Sequence, residues 1–180
     1  MTRSLALHPL PQRDAHLFLN DSGLETTLVF HEGMTLPAFA AFPLLETAEG
    51  RAVLSRYYAR HLAIAERHAT GFVLDTPTWR ANPDWGATLG YDAAALDRIN
   101  TAACAFCQAI REEWQNRVSP IVLSGIVGPR GDGYVASFTT AAEAEDYHTP
   151  QIAAFARAGA DMVAAYTLTT IDEAVGIAWA

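Results

Sequence analysis

Acidic and hydroxyl side chains gather in four short stretches of this sequence, each directly behind an apolar run. In the first, Asp21, Ser22, Gly23, Leu24, Glu25 and Thr26, the two carboxylates suit recognition of a substrate ammonium, since no arginine neighbours them in sequence. The alternative is that Asp21 caps the turn and Glu25 faces solvent. The second stretch, Asp75 to Arg80, offers Thr76 and Thr78, whose hydroxyls either hydrogen-bond a carboxylate or close local turns. Trp79 and Trp85 flank the loop behind it, as an aromatic wall for a substrate or as ordinary packing. Arg80, and Arg130 in the third stretch (Ser124 to Tyr134), hold an anion or sit paired and solvated. Gly23, Gly128, Gly131 and Gly133 read as backbone geometry. The fourth stretch is Tyr166 to Thr170.

Several chemistries are excluded or left without support. All twelve Lys+Arg residues are arginine, so there is no side-chain amine for a Schiff base, a pyridoxal-phosphate anchor or a phosphate-binding-loop lysine. A net charge of −8 repels phosphate backbones, and no nucleic-acid partner is expected. Nowhere do about 18 uncharged apolar residues run together, and no signal-peptide core is visible, so a soluble cytoplasmic protein with no membrane partner is expected. Cys104 and Cys107 have the spacing of a zinc or redox pair, but no second Cys or His pair lies near, and small buried residues on one helix face account for them. His61 and His68 read as packing, and His148 as a helix residue bonding a neighbouring loop.

The elements that must position these residues alternate. Apolar runs at His16 to Asn20, Phe72 to Asp75, Ile121 to Gly125 and Met162 to Tyr166 lack polar alternation, as expected of parallel strands buried on both faces. Helical periodicity follows at Arg51 to Ala69, Asp92 to Gln115, Thr140 to Ala158 and from Ile171 onward, with Thr47 and Asp92 as N-caps. Asn82 to Gly90 reads as loop. Four βα units form either a small open sheet or half of an eight-unit barrel, and in both the strands' C-terminal ends collect function. No glycine fingerprint for a dinucleotide follows the first strand.

Taken in order, the segments DSGLETTL (Asp21 to Leu28), DTPTWRAN (Asp75 to Asn82), SGIVGPRGDGY (Ser124 to Tyr134), YHTPQIAAFARAGAD (Tyr147 to Asp161) and TLTTIDEA (Thr167 to Ala174) resemble the first half of the homocysteine S-methyltransferase family. The resemblance implies an α/β fold of parallel βα units, the first four of a (β/α)8 TIM barrel: residues 1–15 as an N-terminal extension and 16–180 as the N-terminal part of the domain. It implies methyl transfer from a sulfonium, ammonium or folate donor to the homocysteine thiol, giving methionine, with a small amino-acid substrate as partner. It assigns substrate binding to Asp21, Gly23, Glu25, Thr76 and Thr78. Trp79 stands where a tyrosine is common, keeping an aromatic wall without its hydroxyl, and Tyr166 stands where the family commonly has Glu. Both departures point to an altered acceptor preference.

Zinc is the implied cofactor. Its family ligands are cysteines in an Asn-Cys and a Cys-Cys segment, neither of which occurs here, so no metal ligand is assigned and little activity is expected of this chain alone. The competing account is a noncatalytic small-molecule-binding module that closes its open sheet edges by self-assembly.

Overall fold

The four apolar runs are strands in the computed structural model, which describes residues 10–14, 16–135 and 138–180. They are β1 (Phe18–Asn20), β2 (Gly71–Asp75), β3 (Ile121–Val127) and β4 (Met162–Ala165), parallel and in the order β1-β2-β3-β4 within one sheet. Of the first fifteen residues, 1–9 and 15 lie outside the described set. Pro11–Arg13 makes a single turn from which Gln12 Nε2 donates to Met162 Sδ at 2.9 Å.

Between the strands run α1 (Leu24–Thr26), α2 (Ala48–His68), α3 (Pro83–Leu89), α4 (Ala93–Trp114) and α5 (Ala141–Arg157), and α6 (Ile171–Trp179) follows β4. Their ends follow from local chemistry. Thr47 accepts from Gly50 N and Asp92 from Ala95 N, as the caps read from sequence require, and Thr140 forms a reciprocal box with Glu143. Asn82 to Gly90, expected as loop, instead holds α3. Asn82 caps it, Pro83 opens it where a missing N–H costs nothing, and Gly90 ends it at φ +84°. Its glycine and proline content mimicked a loop: Pro83 and Gly90 sit at the helix boundaries, while Gly86 lies within the helix, where a Cβ would meet the Leu96 side chain at 2.8 Å.

Sequential order with right-handed crossovers puts the long helices on one face of the sheet, and packing agrees: α2 lies on β1 and β2, and α4 on β2 and β3. Leu54, Tyr58 and Leu62 of α2 and Ala103, Cys104 and Cys107 of α4 meet Phe72, Leu74, Leu123 and Val127 in one apolar core. Gly125 marks the same side of β3, since a Cβ there would lie 2.5 Å from the Phe155 ring of α5.

Side chains alternate across a strand, and partners in register share a face. With Gly125 helixward, Ser124 and its partner Asp75 face away from the helices, as does Asn20 in register with Val73. Ser124 pairs with Met162 and Ile126 with Ala164, so Tyr166, next in that alternation, turns the same way. One face of the sheet is thus hydrocarbon against helices, and the other ends in Asn20, Asp75, Ser124 and Tyr166. β3 is buried throughout, whereas β4 is half-buried along its length and β1 partly exposed. No helix among the described residues is long and apolar enough to cross a membrane.

Candidate functional site

At the C-terminal ends of the strands the helix-free face opens into a cleft of about 280 Å³. β1 delivers Asn20 and Asp21 to it, the following turn Gly23 and Glu25, β2 Asp75 and Thr76, and the β4 end Tyr166. Trp79, Phe39 and Tyr134 supply aromatic wall. Gly23 caps α1 at φ +42°, a left-handed conformation that a side chain would strain, and this turn swings Glu25 back over the strand end. Gly128 lets two loops touch: a Cβ there would lie 2.1 Å from Trp79 O.

Six of the seven residues assigned from sequence therefore meet: Asp21, Gly23, Glu25, Thr76, Trp79 and Tyr166. Thr78 does not line the cleft. It is fully buried, and its Oγ1 donates to Ile126 O at 2.8 Å and accepts from Thr76 Oγ1, which itself receives Ile126 N–H. The two threonine hydroxyls stitch β2 to β3 across about fifty residues of chain, a long-range role that neither the carboxylate-binding nor the local-turn reading anticipated.

Burial raises the acidic groups together. Asp21 is pushed above the usual carboxylate range by burial, an effect opposed by the Tyr57 hydroxyl that donates to its Oδ2 at 2.9 Å. Burial also lifts Glu25 to about 7, with Asp21 adding repulsion and Arg80 opposing. Asp75, 6% exposed, rises to about 7 from burial and then from Asp21, while Tyr166 Oη, donating to Asp75 Oδ2 at 2.8 Å, works against the rise. Burial thus shifts each carboxyl toward its neutral form. A bound cation reverses that balance, because it replaces the missing solvent as the partner of negative charge.

Asp75 went unassigned in the sequence although it closes an apolar run. The signal was there, since a carboxyl ending a buried parallel strand has no water to face. The two arginines considered as anion holders, Arg80 and Arg130, are engaged elsewhere. Arg80 donates to Ala38 O at 2.5 Å and stacks on Trp85 and Trp79, its guanidinium carbon 3.7 and 4.7 Å from the ring centres. Arg130 lies 3.8 Å from Asp84 and over the Tyr147 ring. His148 bonds a helix side chain instead of a loop: its Nε2 is 3.0 Å from Glu173 Oε1 of α6. His61 reaches Ser22 Oγ and Tyr57 O.

Three comparisons bear on this geometry. The family model described as homocysteine S-methyltransferase matches residues 19–180. The chain belongs to the homocysteine S-methyltransferase family. Two solved structures of the homocysteine methyltransferase MmuM from Escherichia coli, in metallated and oxidised forms, superpose with TM-scores of 0.70 and 0.70 at 19% and 19% identity. They share the fold over 93% and 90% of this chain but only 61% and 56% of their own, so the chain spans about three fifths of their length. Among curated proteins none matches.

The zinc that the family resemblance implies does not fit the donors present. Among the described residues no three His, Cys, Asp or Glu side chains are grouped to hold a metal ion. Cys104 and Cys107 are buried on α4, where desolvation pushes Cys104 up to about 11 and Cys107 well above the usual thiol range. A ligating thiol must become thiolate. These two are held as thiols, and Cys107 donates weakly to Asp75 O at 3.8 Å.

Proposed function

We propose that residues 16–180 are the first four βα units of an eight-unit barrel, preceded by an extension over 1–15. In this reading they form the amino-acid wall of a homocysteine S-methyltransferase. The reaction is transfer of a methyl group from a sulfonium, quaternary ammonium or folate donor to the homocysteine thiol, giving methionine. One observation carries this reading: Asp21, Glu25 and Asp75 converge on a single cleft at the strand ends, where an ammonium would be their natural counter-ion.

This chain's contribution is positioning. The carboxylates anchor the ammonium, Trp79 and Tyr134 cover the aliphatic part, and the enclosure keeps water from the sulfur. Thiol activation has no donor set here, so the chain alone should transfer little or no methyl. The half-buried β4 supports continuation of the sheet by further strands, and a second copy pairing at the same edge is the competing arrangement. The acidic net charge argues against a nucleic-acid partner, and a cytoplasmic setting is part of the proposal.

Calorimetric titration of the purified chain with L-homocysteine tests the reading. Saturable binding that Glu25→Gln weakens is expected; heats unchanged by that substitution would remove the cleft from consideration. Methionine released from homocysteine and S-methylmethionine with added zinc would overturn the inactivity.

A further inference from the structure

Phe39 lines the cleft together with Trp79, yet it stands there on an unfavourable backbone. Leu36 and Ala40 are buried, and the turn Pro37–Phe39 bridges them without a glycine, although Ala38 and Phe39 both take left-handed φ, +52° and +53°. A side chain at such a φ costs free energy, a bulky one most of all. Two in succession persist only where surrounding contacts outweigh the strain. Within the turn, Phe39 N–H donates to Leu36 O at 3.0 Å and Ala40 N–H to Pro37 O at 3.1 Å. From outside it, Arg80 Nη1 donates at 2.5 Å to Ala38 O, the carbonyl between the two strained residues. Arg80 is itself held: its guanidinium lies over the rings of Trp85 and Trp79, and Trp85 Nε1 donates to Gly131 O at 2.7 Å. α3, which carries Trp85, packs on the same turn. One guanidinium thus joins the loops behind β1, β2 and β3.

We infer that Arg80 is a positioning residue, clasping segment 36–40 so that Phe39 stays in the cleft wall, and that release of this clasp is the step by which the cleft exchanges its ligand. Only the identity of that ligand rests on the homocysteine reading. The strain supplies the direction of the motion: freed from Arg80, Ala38 and Phe39 relax out of the left-handed region and carry the Phe39 ring with them. The planar guanidinium is what suits Arg80 to this work, because it can lie over two indoles and still extend an N–H to a carbonyl, whereas a lysine ammonium brings charge without a plane. Glu25 and Asp132 are near enough to feel the Arg80 charge. Arg80→Lys keeps a cation toward both and removes the plane, so it separates the clasp from simple charge.

The test is amide-proton exchange by NMR on the ligand-free chain, which reads local opening residue by residue, followed by stopped-flow binding of L-homocysteine. In Arg80→Lys the Phe39 and Ala40 amides should exchange about tenfold faster, the size of one charge-assisted hydrogen bond, while Thr76 N–H, bonded to Ser124 O at 2.9 Å, keeps its native rate. Adding Ala38→Gly, which tolerates the left-handed φ, should recover about threefold of that loss. Trp85→Leu, which removes one ring from beside the guanidinium, should speed the same two amides by about threefold and serves if the lysine variant does not fold. Homocysteine should both enter and leave Arg80→Lys about tenfold faster, with affinity within about threefold of native, because a gate alters rates in both directions. Native exchange at Phe39 in the lysine variant, or equal acceleration at Thr76, would overturn the clasp. Affinity lost through faster dissociation alone would refute the gate. No homocysteine binding by the native chain would sink the homocysteine reading and leave the clasp to be decided by the exchange rates.

Discussion

Replacing Asp75 by asparagine should make the unliganded protein more stable above neutral pH, although it removes a polar contact to a ligand. Burial lifts this carboxyl from its ordinary 3.8 to about 7. A group whose folded pKa is raised supports the fold fully below its unfolded pKa, and that support is lost as pH climbs through the folded value. At about 1.4 kcal/mol per pH unit, the native chain loses on the order of 4 kcal/mol through this group between about pH 4 and pH 7. Asparagine carries no charge to bury and can still accept from Tyr166. Scanning calorimetry at pH 4.5, 6 and 8 should show near-equal melting in acid and the D75N variant melting higher at pH 8, by roughly 10 °C for a chain of this size. Taking the difference between the two proteins cancels groups common to both, including Glu66, whose exposed pair with Arg117 lowers its pKa. A variant that melts at or below the native temperature at pH 8 would show that the carboxyl is not penalised by its site, and the account of the cleft would fail.

Other substitutions probe the parts around it. Glu173 Oε1 accepts Arg130 N–H at 2.6 Å and faces His148 Nε2, with the Glu173 and His148 side chains both buried. Glu173→Ala should cost about 2–4 kcal/mol in urea unfolding by orphaning both, and Glu173→Gln distinctly less; equal losses would contradict the acceptor role. Gly128→Ala must push the loop away from Trp79 O, so homocysteine affinity should fall, and unchanged affinity with unchanged Trp fluorescence would count against that contact. Cys104 and Cys107 should resist a disulfide reagent at pH 8 until denaturant is added, and rapid labelling of both in native buffer would show that α4 does not bury them. Homocysteine binding should strengthen from pH 5.5 to 8 as Glu25 and Asp75, both near 7, lose their protons; a flat profile would mean that neither meets the ammonium.

Legibility varied with the range of the forces involved. The strands were readable because apolar runs flanked by turn residues report burial directly, and the caps at Thr47 and Asp92 because they act on the next few N–H groups. α3 was missed since its helical character lies in its boundary residues and in contact with neighbouring loops. Thr78 looked like a site residue by its place in DTPTWRAN, but a hydroxyl aimed at a strand 48 residues away is invisible in sequence. The same holds for His148 and Glu173, whose partnership crosses 25 residues and two helices.

What the sequence determined unaided is the alternation of strand and helix, the polar strand ends and the family, because each depends on residues close together in the chain. Tertiary structure alone decided which of those polar groups share a cleft, and how far each is driven from its ordinary pKa. Register sets which face a side chain takes, and burial sets how poorly water can serve its charge; both arise only when distant strands lie side by side.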